Sequence, residues 1–478
     1  MKNIYIAYTL LFSILTTAQD KAIDSSNTFK KRVLESTEVD ILLSYYKQDG
    51  VNSSVSGGIG SEKLTDLASN IVVALPLNAD DVLTVDVGIS AYTSASSSNI
   101  NPFNSSGASG GDDEDRAPIA TSSPYGTPWL ASSGASGSDA LLNVTANYSH
   151  SSDDRNFIWN ADIAFSNEYD YTSIGFGGGV AKLFNEKNTE LSVKANVYLD
   201  QWRPIYPTEL HEFSKYGSDF LNNGYFNGVP VYNEGGLVDT SYLPSQFETI
   251  QSVNRNSYAI SFSFSQILTK KLQVSFFFDV LRQEGLLSTP YHRVYFADKE
   301  NYFIGKPEFI PTYETTQNTG VYQLADDIER LPSTRFKLPF GMRANYYINE
   351  TLKFRAYYRY YTDDWSLKSH TFNVEVPIKI SDRFTVFPIY RYYTQNASKY
   401  FAPFETHIST EQFYTSDYDL SKFTSNQYGG GISYVDLLTN TKLFWFGLKN
   451  IDFRYNHYQR SNNLNADIFT IGFKFIML

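Results

Sequence analysis

From residue 139 to the end of the chain, apolar and polar residues alternate in blocks of roughly ten, the length of a transmembrane β-strand. In 190–200, Leu191, Val193, Ala195, Val197 and Leu199 share one face; Glu190, Ser192, Lys194, Asn196, Tyr198 and Asp200 share the other. In 156–166, Phe157, Trp159, Ala161, Ile163 and Phe165 oppose Ile158, Asn160, Asp162, Ala164 and Ser166. In 352–361, Leu352, Phe354, Ala356, Tyr358 and Tyr360 oppose Lys353, Arg355, Tyr357, Arg359 and Tyr361. A period of two held this strictly predicts strands with two unlike faces rather than helices.

The joints between blocks carry a second alternation. Tight turns fall at 78–81, 153–155, 185–188, 269–271, 349–350 and 381–382. Long joints lie near 49–67, 93–138, 202–255, 283–333 and 396–425, with shorter ones near 167–172, 362–368 and 459–463. Counting strands from Val39, every tight turn follows an even strand. Short turns on one side and long loops on the other are the habit of outer-membrane barrels, whose short turns are periplasmic. The fold expected is therefore all-β: a transmembrane antiparallel β-barrel of about sixteen strands over 38–478 with long extracellular loops. Residues 437–448 read equally as strand or as a longer turn. Tyr45, Tyr358, Tyr360, Tyr390, Tyr392 and Tyr455 fall at the outer ends of lipid-facing stripes, where an aromatic girdle belongs. The last block sets Phe469, Ile471, Phe473 and Phe475 on one face, like a C-terminal targeting strand.

Composition agrees with this pattern. A mean hydropathy of −0.32 is too polar for a bundle of membrane helices, but a barrel hides its apolar face at alternate residues. The 37 Tyr and 35 Phe can supply two interfacial girdles. With no cysteine, disulfides, thiolate metal sites and cysteine nucleophiles are excluded. A net charge of −12 argues against nucleic acid as a partner. Residues 1–18 read as a signal peptide: Lys2, an apolar run over 4–15, then Thr16, Thr17 and Ala18 before Gln19. Residues 19–37 read as a short periplasmic lead. The expected location is the outer membrane of a Gram-negative bacterium, with its lipid and other envelope proteins as partners.

Candidate chemistry lies on the polar face. Later strands point Arg335, Lys337, Arg343, Lys353, Arg355, Arg359, Lys379, Arg391 and Arg454 inward; earlier strands point Asp86, Asp162, Glu190, Asp200 and Asp279 inward. Closed into a barrel, a basic wall would face an acidic one, and charged walls are how pores select. Charges that pair and simply fill the lumen are the plainer alternative. In the loops, Asp112, Asp113, Glu114 and Asp115 follow a glycine-serine run that recurs at 133–139. Clustered carboxylates of this kind suit Ca²⁺, although the spacing is not that of an EF-hand. No other cofactor is expected. Joint 202–255 carries Trp202, Tyr206, Phe213, Tyr216, Phe220, Tyr225, Phe226 and Tyr232 among its aromatics and should fold over or into the barrel.

Enzymatic signals are weak. None of His150, His211, His292, His370, His407 and His457 sits in a metal-ligand motif. A hydrolase on this architecture would need a Ser or Asp in reach of one of them; His457, near a strand's outer end, is placed to face Asp and Ser of the outer loops.

Two stretches resemble a known family. Tyr45-Tyr46-Lys47-Gln48-Asp49-Gly50, Gly57-Gly58-Ile59-Gly60-Ser61-Glu62, Asp86-Val87-Gly88 and Tyr92-Thr93-Ser94-Ala95-Ser96, followed by Ser106-Gly107-Ala108-Ser109, form the first. Tyr392-Tyr393-Thr394-Gln395 and Tyr414-Thr415-Ser416-Asp417-Tyr418-Asp419-Leu420-Ser421 form the second. Both resemble the family catalogued as domain of unknown function 3570. The resemblance implies an outer-membrane barrel with no established activity, in a redox- or metal-linked envelope setting. If loops 49–67, 93–138 and 396–425 converge, they would form one site or plug. The expected function is a porin-like, non-enzymatic barrel that passes or binds a small polar or charged solute. The alternative is a non-conducting scaffold whose folded loops, Ca²⁺-stabilised, bind a partner protein or surface component; an outer-membrane hydrolase ranks third.

Overall fold

The computed structural model describes residues 32–94, 139–313 and 320–478. These form sixteen long strands. They are β1 (Glu38–Asp49), β2 (Leu64–Pro76), β3 (Asp81–Ser94), β4 (Asp139–Ser151), β5 (Phe157–Asn167), β6 (Tyr171–Phe184), β7 (Thr189–Trp202) and β8 (Asn254–Thr269). The second half holds β9 (Leu272–Gly285), β10 (Thr334–Tyr347), β11 (Lys353–Asp363), β12 (Lys368–Glu375), β13 (Phe384–Gln395), β14 (Phe423–Val435), β15 (Phe446–Arg460) and β16 (Asn465–Met477). Each pairs antiparallel with its sequence neighbour. β1 also pairs with β16, Glu38 opposite Ile476 and Asp49 opposite Asn465, so the sheet closes on itself. Closure removes both edges, which a strand structure needs in lipid. A closed, even-stranded antiparallel barrel with an apolar outer face has the form of an outer-membrane barrel.

β12 breaks at Val376-Pro377 and resumes at Ile378–Lys379, because proline has no amide to give the ladder. The turn between β14 and β15 spans 436–445 and ends in a two-residue hairpin, Lys442 opposite Gly447. The longer turn is therefore the right reading of 437–445, and β15 begins at Phe446. Every turn on the side of the chain's C-terminal end is short or, as here, ten residues at most. Both barrel termini lie on that periplasmic side.

Side chains follow the pleat. Ile163, Phe176, Ile260, Phe262, Phe372, Ile432 and Phe453 are exposed on the outer surface, where lipid takes the place of a protein core. Rings pair across strands on that surface: Tyr45 and Tyr455 both lie against Phe469, and Tyr358 against Phe372. His457 is also on this outer face. Its Nδ1 lies 2.9 Å from Asp467 on β16, so it does not face the loops as the sequence suggested; its parity matches that of Phe453 and Tyr455.

The buried apolar core sits in the outer joints. Joints 50–63, 203–253, 286–333 and 396–422 leave the same end of the barrel and fold together as a cap. Phe220, Phe226 and Ile304 are fully buried there beside Val55 and Tyr322. Leu210, Phe247, Tyr295 and Ile328 form a second cluster. Each such side chain contributes about 1.5–3 kcal/mol when removed from water. Joint 203–253 supplies the one α-helix among the described residues, α1 (Thr208–Tyr216), which ends at Gly217 with φ +61°. Joint 286–333 supplies two small ladders, Tyr302–Gly305 with Val321–Leu324 and Arg293–Val294 with Asp327–Ile328.

At the cap's centre Arg293 and Glu209 are both wholly buried. Nε donates to Oε1 at 2.9 Å and an Nη to Oε2 at 3.3 Å. The Ala325 amide also donates to Oε1, and Arg293 donates to the Val55 carbonyl. Three joints thus meet on one ion pair. Gly58 of joint 50–63 packs against the Ser416 carbonyl so closely that a side chain there would collide with it. Joints 50–63 and 396–422 do converge; 95–138 lies outside the described residues, and with it the predicted Ca²⁺ ligands Asp112, Asp113, Glu114 and Asp115.

The cap carries a pH dependence. Burial, opposed by the Phe296 amide that donates to it, pushes the Asp326 carboxyl up to about 7. Lys299, Asp298 and Asp327 are the charges around it. Its folded value lies above the ~3.9 of an unfolded chain, so the folded cap holds the proton more tightly. The penalty for ionising it is absent below about pH 4, grows with pH and is complete above about 7. Once the base-catalysed intrinsic rate is divided out, amide protection over 293–297 is expected to be greater at pH 5.5 than at pH 8; the opposite order would contradict this assignment.

Candidate functional site

The register settles which strand residues line the lumen, since paired residues point to the same side. On β10 to β15 the inward set includes Arg335, Lys337, Arg343, Lys353, Arg355, Arg359, Arg391 and Arg454. Lys379 opposes Thr385 at the periplasmic rim and pairs with Asp382, 2.6 Å away. On β3 to β9, Asp86, Asp162, Glu190, Asp200 and Asp279 point inward.

The two halves are not of single sign. Lys194 reaches Asp162 at 3.2 Å, and Arg255 reaches Asp200 at 3.3 Å. On the other half Asp363 takes Arg335 at 2.5 Å, and Glu375 takes both Arg355 at 2.6 Å and Arg454 at 3.5 Å. Each wall is thus partly neutralised by its own neighbours, not by the opposite wall. Strand parity had already put Lys194 on the polar face, whereas Asp363 fell in the joint read at 362–368; the strand in fact runs on to Asp363. Among the described residues Arg343, Lys353, Arg359 and Arg391 have no carboxylate within 4 Å.

Several arginines lie over rings. Arg454 stacks on Phe387 at 4.5 Å, Arg460 on Phe423 at 4.6 Å, and Arg343 on Tyr357 at 5.8 Å. Stacking holds the guanidinium face and leaves its N–H edge free to donate. The rings lie flat because glycine is beneath them. Phe277, stacked on Tyr357 at 5.7 Å, covers Gly341, and Phe387 covers Gly431. Gly341→Ala puts a methyl into the Phe277 ring. A cost of about 1–3 kcal/mol in barrel stability is expected, read as a lower urea midpoint for unfolding in detergent; an unchanged midpoint would refute the platform.

Three cavities follow this wall. The first, about 1000 Å³, opens at the periplasmic end and is lined by Lys270, Lys271, Arg343, Lys353, Arg355, Arg391 and Arg454, with Glu375 as its one carboxylate. A second, about 480 Å³, shares Arg391 and Gln427 with it and adds Tyr393, Tyr458 and Arg460. A third, about 290 Å³, shares Asp419 and Arg460 with the second and enters the cap between Ser53, Glu62, His292 and Asp417. These three cavities run from a basic inner end to an acidic outer end. Arg460, which ties the two upper cavities together through Asp419 at 2.5 Å, was missed from the sequence. The reading there placed Arg460 inside the joint at 459–463, whereas the strand runs on to it.

A family model matches residues 4–470. The chain belongs to the family described as Protein of unknown function (DUF3570). Among solved structures, this DUF3570 barrel is similar to a bacterial polysaccharide outer membrane secretin, with 9% identity, 92% of this chain and 99% of that chain covered, and a TM-score of 0.38. It is similar also to a Pseudomonas aeruginosa FadL homologue, with 9% identity, 92% and 90% covered, and a TM-score of 0.35. Pseudomonas aeruginosa OccK9 matches with 8% identity, 92% and 98% covered, and a TM-score of 0.35. No curated protein matches the chain.

Proposed function

We propose that this barrel is a porin-like protein of the outer membrane that passes or binds a small polar solute, with anionic groups held on the β13–β15 wall. The observation that carries this is the run of three cavities sharing Arg391, Gln427, Asp419 and Arg460 from the periplasmic mouth into the cap. Arg343 and Arg391 of this track have no carboxylate within 4 Å among the described residues, and Arg343 lies over the Tyr357 ring, which suits transient binding of carboxylate or phosphate. Purified protein in planar bilayers should show discrete openings with a preference for anions over cations. A correctly folded barrel that never opens would end the proposal.

A second reading is favoured by the cap itself. A core of this size over the outer mouth suits a scaffold that binds a partner or surface component without conducting, and Leu237, Val238 and Ile408 are exposed on the cap. Conductance separates the two readings.

A further inference from the structure

One cluster stands where the track enters the cap, and neither the basic wall nor the cap's apolar core uses it. His292 and Glu329 come from joint 286–333 and Asp417 from joint 396–422. One ligand atom of each lies within 4.8 Å of the other two. His292 Nδ1 is 3.7 Å from Glu329 Oε1, too far for a hydrogen bond, and it is buried without any partner. The other ring nitrogen, Nε2, is 3.1 Å from Ser54 Oγ. If Nε2 carries the proton and donates it to Ser54, Nδ1 presents a lone pair to the two carboxylates.

Those carboxylates are fixed in turn. Thr415 Oγ1 donates to Glu329 Oε1 at 2.5 Å and the Thr289 amide to Oε2 at 2.7 Å. The Asp419 amide donates to Asp417 Oδ1 at 2.9 Å. An independent feature points to a ligand here. Ser53 Oγ lines the same 290 Å³ cavity; its residue is 2% exposed, and the hydroxyl has no hydrogen-bond partner. Two acids and an imidazole lone pair facing one small space repel one another unless a cation sits between them.

We propose that His292, Glu329 and Asp417 bind a divalent transition-metal ion, Zn²⁺ by their chemistry, on the cap's inner side. The ion ties joint 286–333 to joint 396–422, with Ser54 of joint 50–63 orienting the imidazole. Zinc takes nitrogen at about 2.0–2.1 Å and carboxylate oxygen at about 2.0–2.2 Å, which in a tetrahedron sets the donors roughly 3.4 Å apart. The observed 3.7 Å between His292 and Glu329 is already close to that. An imidazole ligand favours Zn²⁺, Fe²⁺ or Ni²⁺ over Ca²⁺. Three protein donors leave a fourth position toward the cavity, where Ser53 Oγ can bond a coordinated water. The same geometry allows a rival in which His292 activates Ser54 as a nucleophile with Glu329 behind it. That rival gives Asp417 no part and needs an Nδ1–Glu329 hydrogen bond that is not made.

The test uses the full chain in detergent, without a histidine tag, treated with EDTA and dialysed. Zn²⁺ titrated by calorimetry should bind one equivalent with micromolar or tighter affinity, and millimolar Ca²⁺ should not displace it. His292→Gln and Asp417→Asn should each weaken binding tenfold or more, and His211→Gln should not. Heat-modifiable migration on gels confirms that each variant barrel is folded. Co²⁺ added to the wild-type protein should give visible d–d bands that Zn²⁺ abolishes, a readout independent of any variant. No saturable uptake and no Co²⁺ bands would overturn the site, as would equal binding by His292→Gln. Labelling of Ser54 by a fluorophosphonate, lost in His292→Gln, would overturn it in favour of the serine nucleophile.

Discussion

Changing Arg343, Arg391 and Arg454 together to glutamate is expected to abolish anion preference. The periplasmic cavity has seven cationic side chains and one carboxylate; the triple variant has four of each. The three arginines are apt targets because their charges face open space. Arg454 shares Glu375 with Arg355, and no carboxylate lies within 4 Å of the other two among the described residues. In a salt gradient across a bilayer, the wild-type reversal potential should have the sign for anion passage, and that of the variant should fall near zero. A tenfold loss in the anion-to-cation permeability ratio corresponds to about 1.4 kcal/mol. The difference should shrink in molar salt, where the screening length drops to about 3 Å. An unchanged reversal potential at low salt would mean that ions do not travel along this wall.

Glu209→Ala is expected to open the cap while leaving the barrel closed. Arg293 would keep its charge in a site wholly shut off from water but lose the carboxylate that faces it, while the Val55 carbonyl and the Tyr322 ring, 5.3 Å away, stay in place. Removing one partner of a buried pair costs about 3–5 kcal/mol. The barrel strands do not depend on this pair, because their ladder closes through β1 and β16. Limited proteolysis should cut the variant within 203–253 and 286–333 while the strands stay protected. If the cap closes the outer mouth, conductance should rise in the same preparation. Replacing both partners, Glu209→Leu with Arg293→Met, should restore protection, since an apolar pair of similar volume needs no counter-charge. A cap as resistant in Glu209→Ala as in the native protein would show that the pair does not hold it.

The strands were legible because a membrane writes them in period two. Lipid on one side and water on the other force Leu191, Val193 and Leu199 onto one face and Glu190, Lys194 and Asp200 onto the other, with no help from tertiary contacts. Turn lengths supplied strand order and sidedness for the same local reason. Lumen charges came with the parity, but their pairings did not: Glu375 meets Arg454 from β15, and Arg255 meets Asp200 across the β7–β8 pair, contacts fixed only by closure and stagger. The cap was legible as an excess of aromatics in 202–255 and, through the family resemblance, as a meeting of 49–67 with 396–425. Its core joins Val55, Phe220, Ile304 and Tyr322, which share no period. His292, Glu329 and Asp417 showed no motif for the same reason: two joints bring them together, and sequence spacing holds no trace of it. His457 misled because nearness to a strand's end was weighed above its parity.

The cap's shared core has a consequence for how the barrel is finished. β1 is both the first strand and the seal, and a seal made in period two can slip by two residues and still show lipid an apolar face. Such a slip moves β1 by about 6.8 Å along its partner. Joint 50–63 would travel with it, drawing Val55 out of the aromatic cluster and its carbonyl away from Arg293. Misaligned closure is then scored in water, by a piece of ordinary globular packing, where lipid alone is indifferent. The cap in this sense is a key cut to one alignment of the sheet.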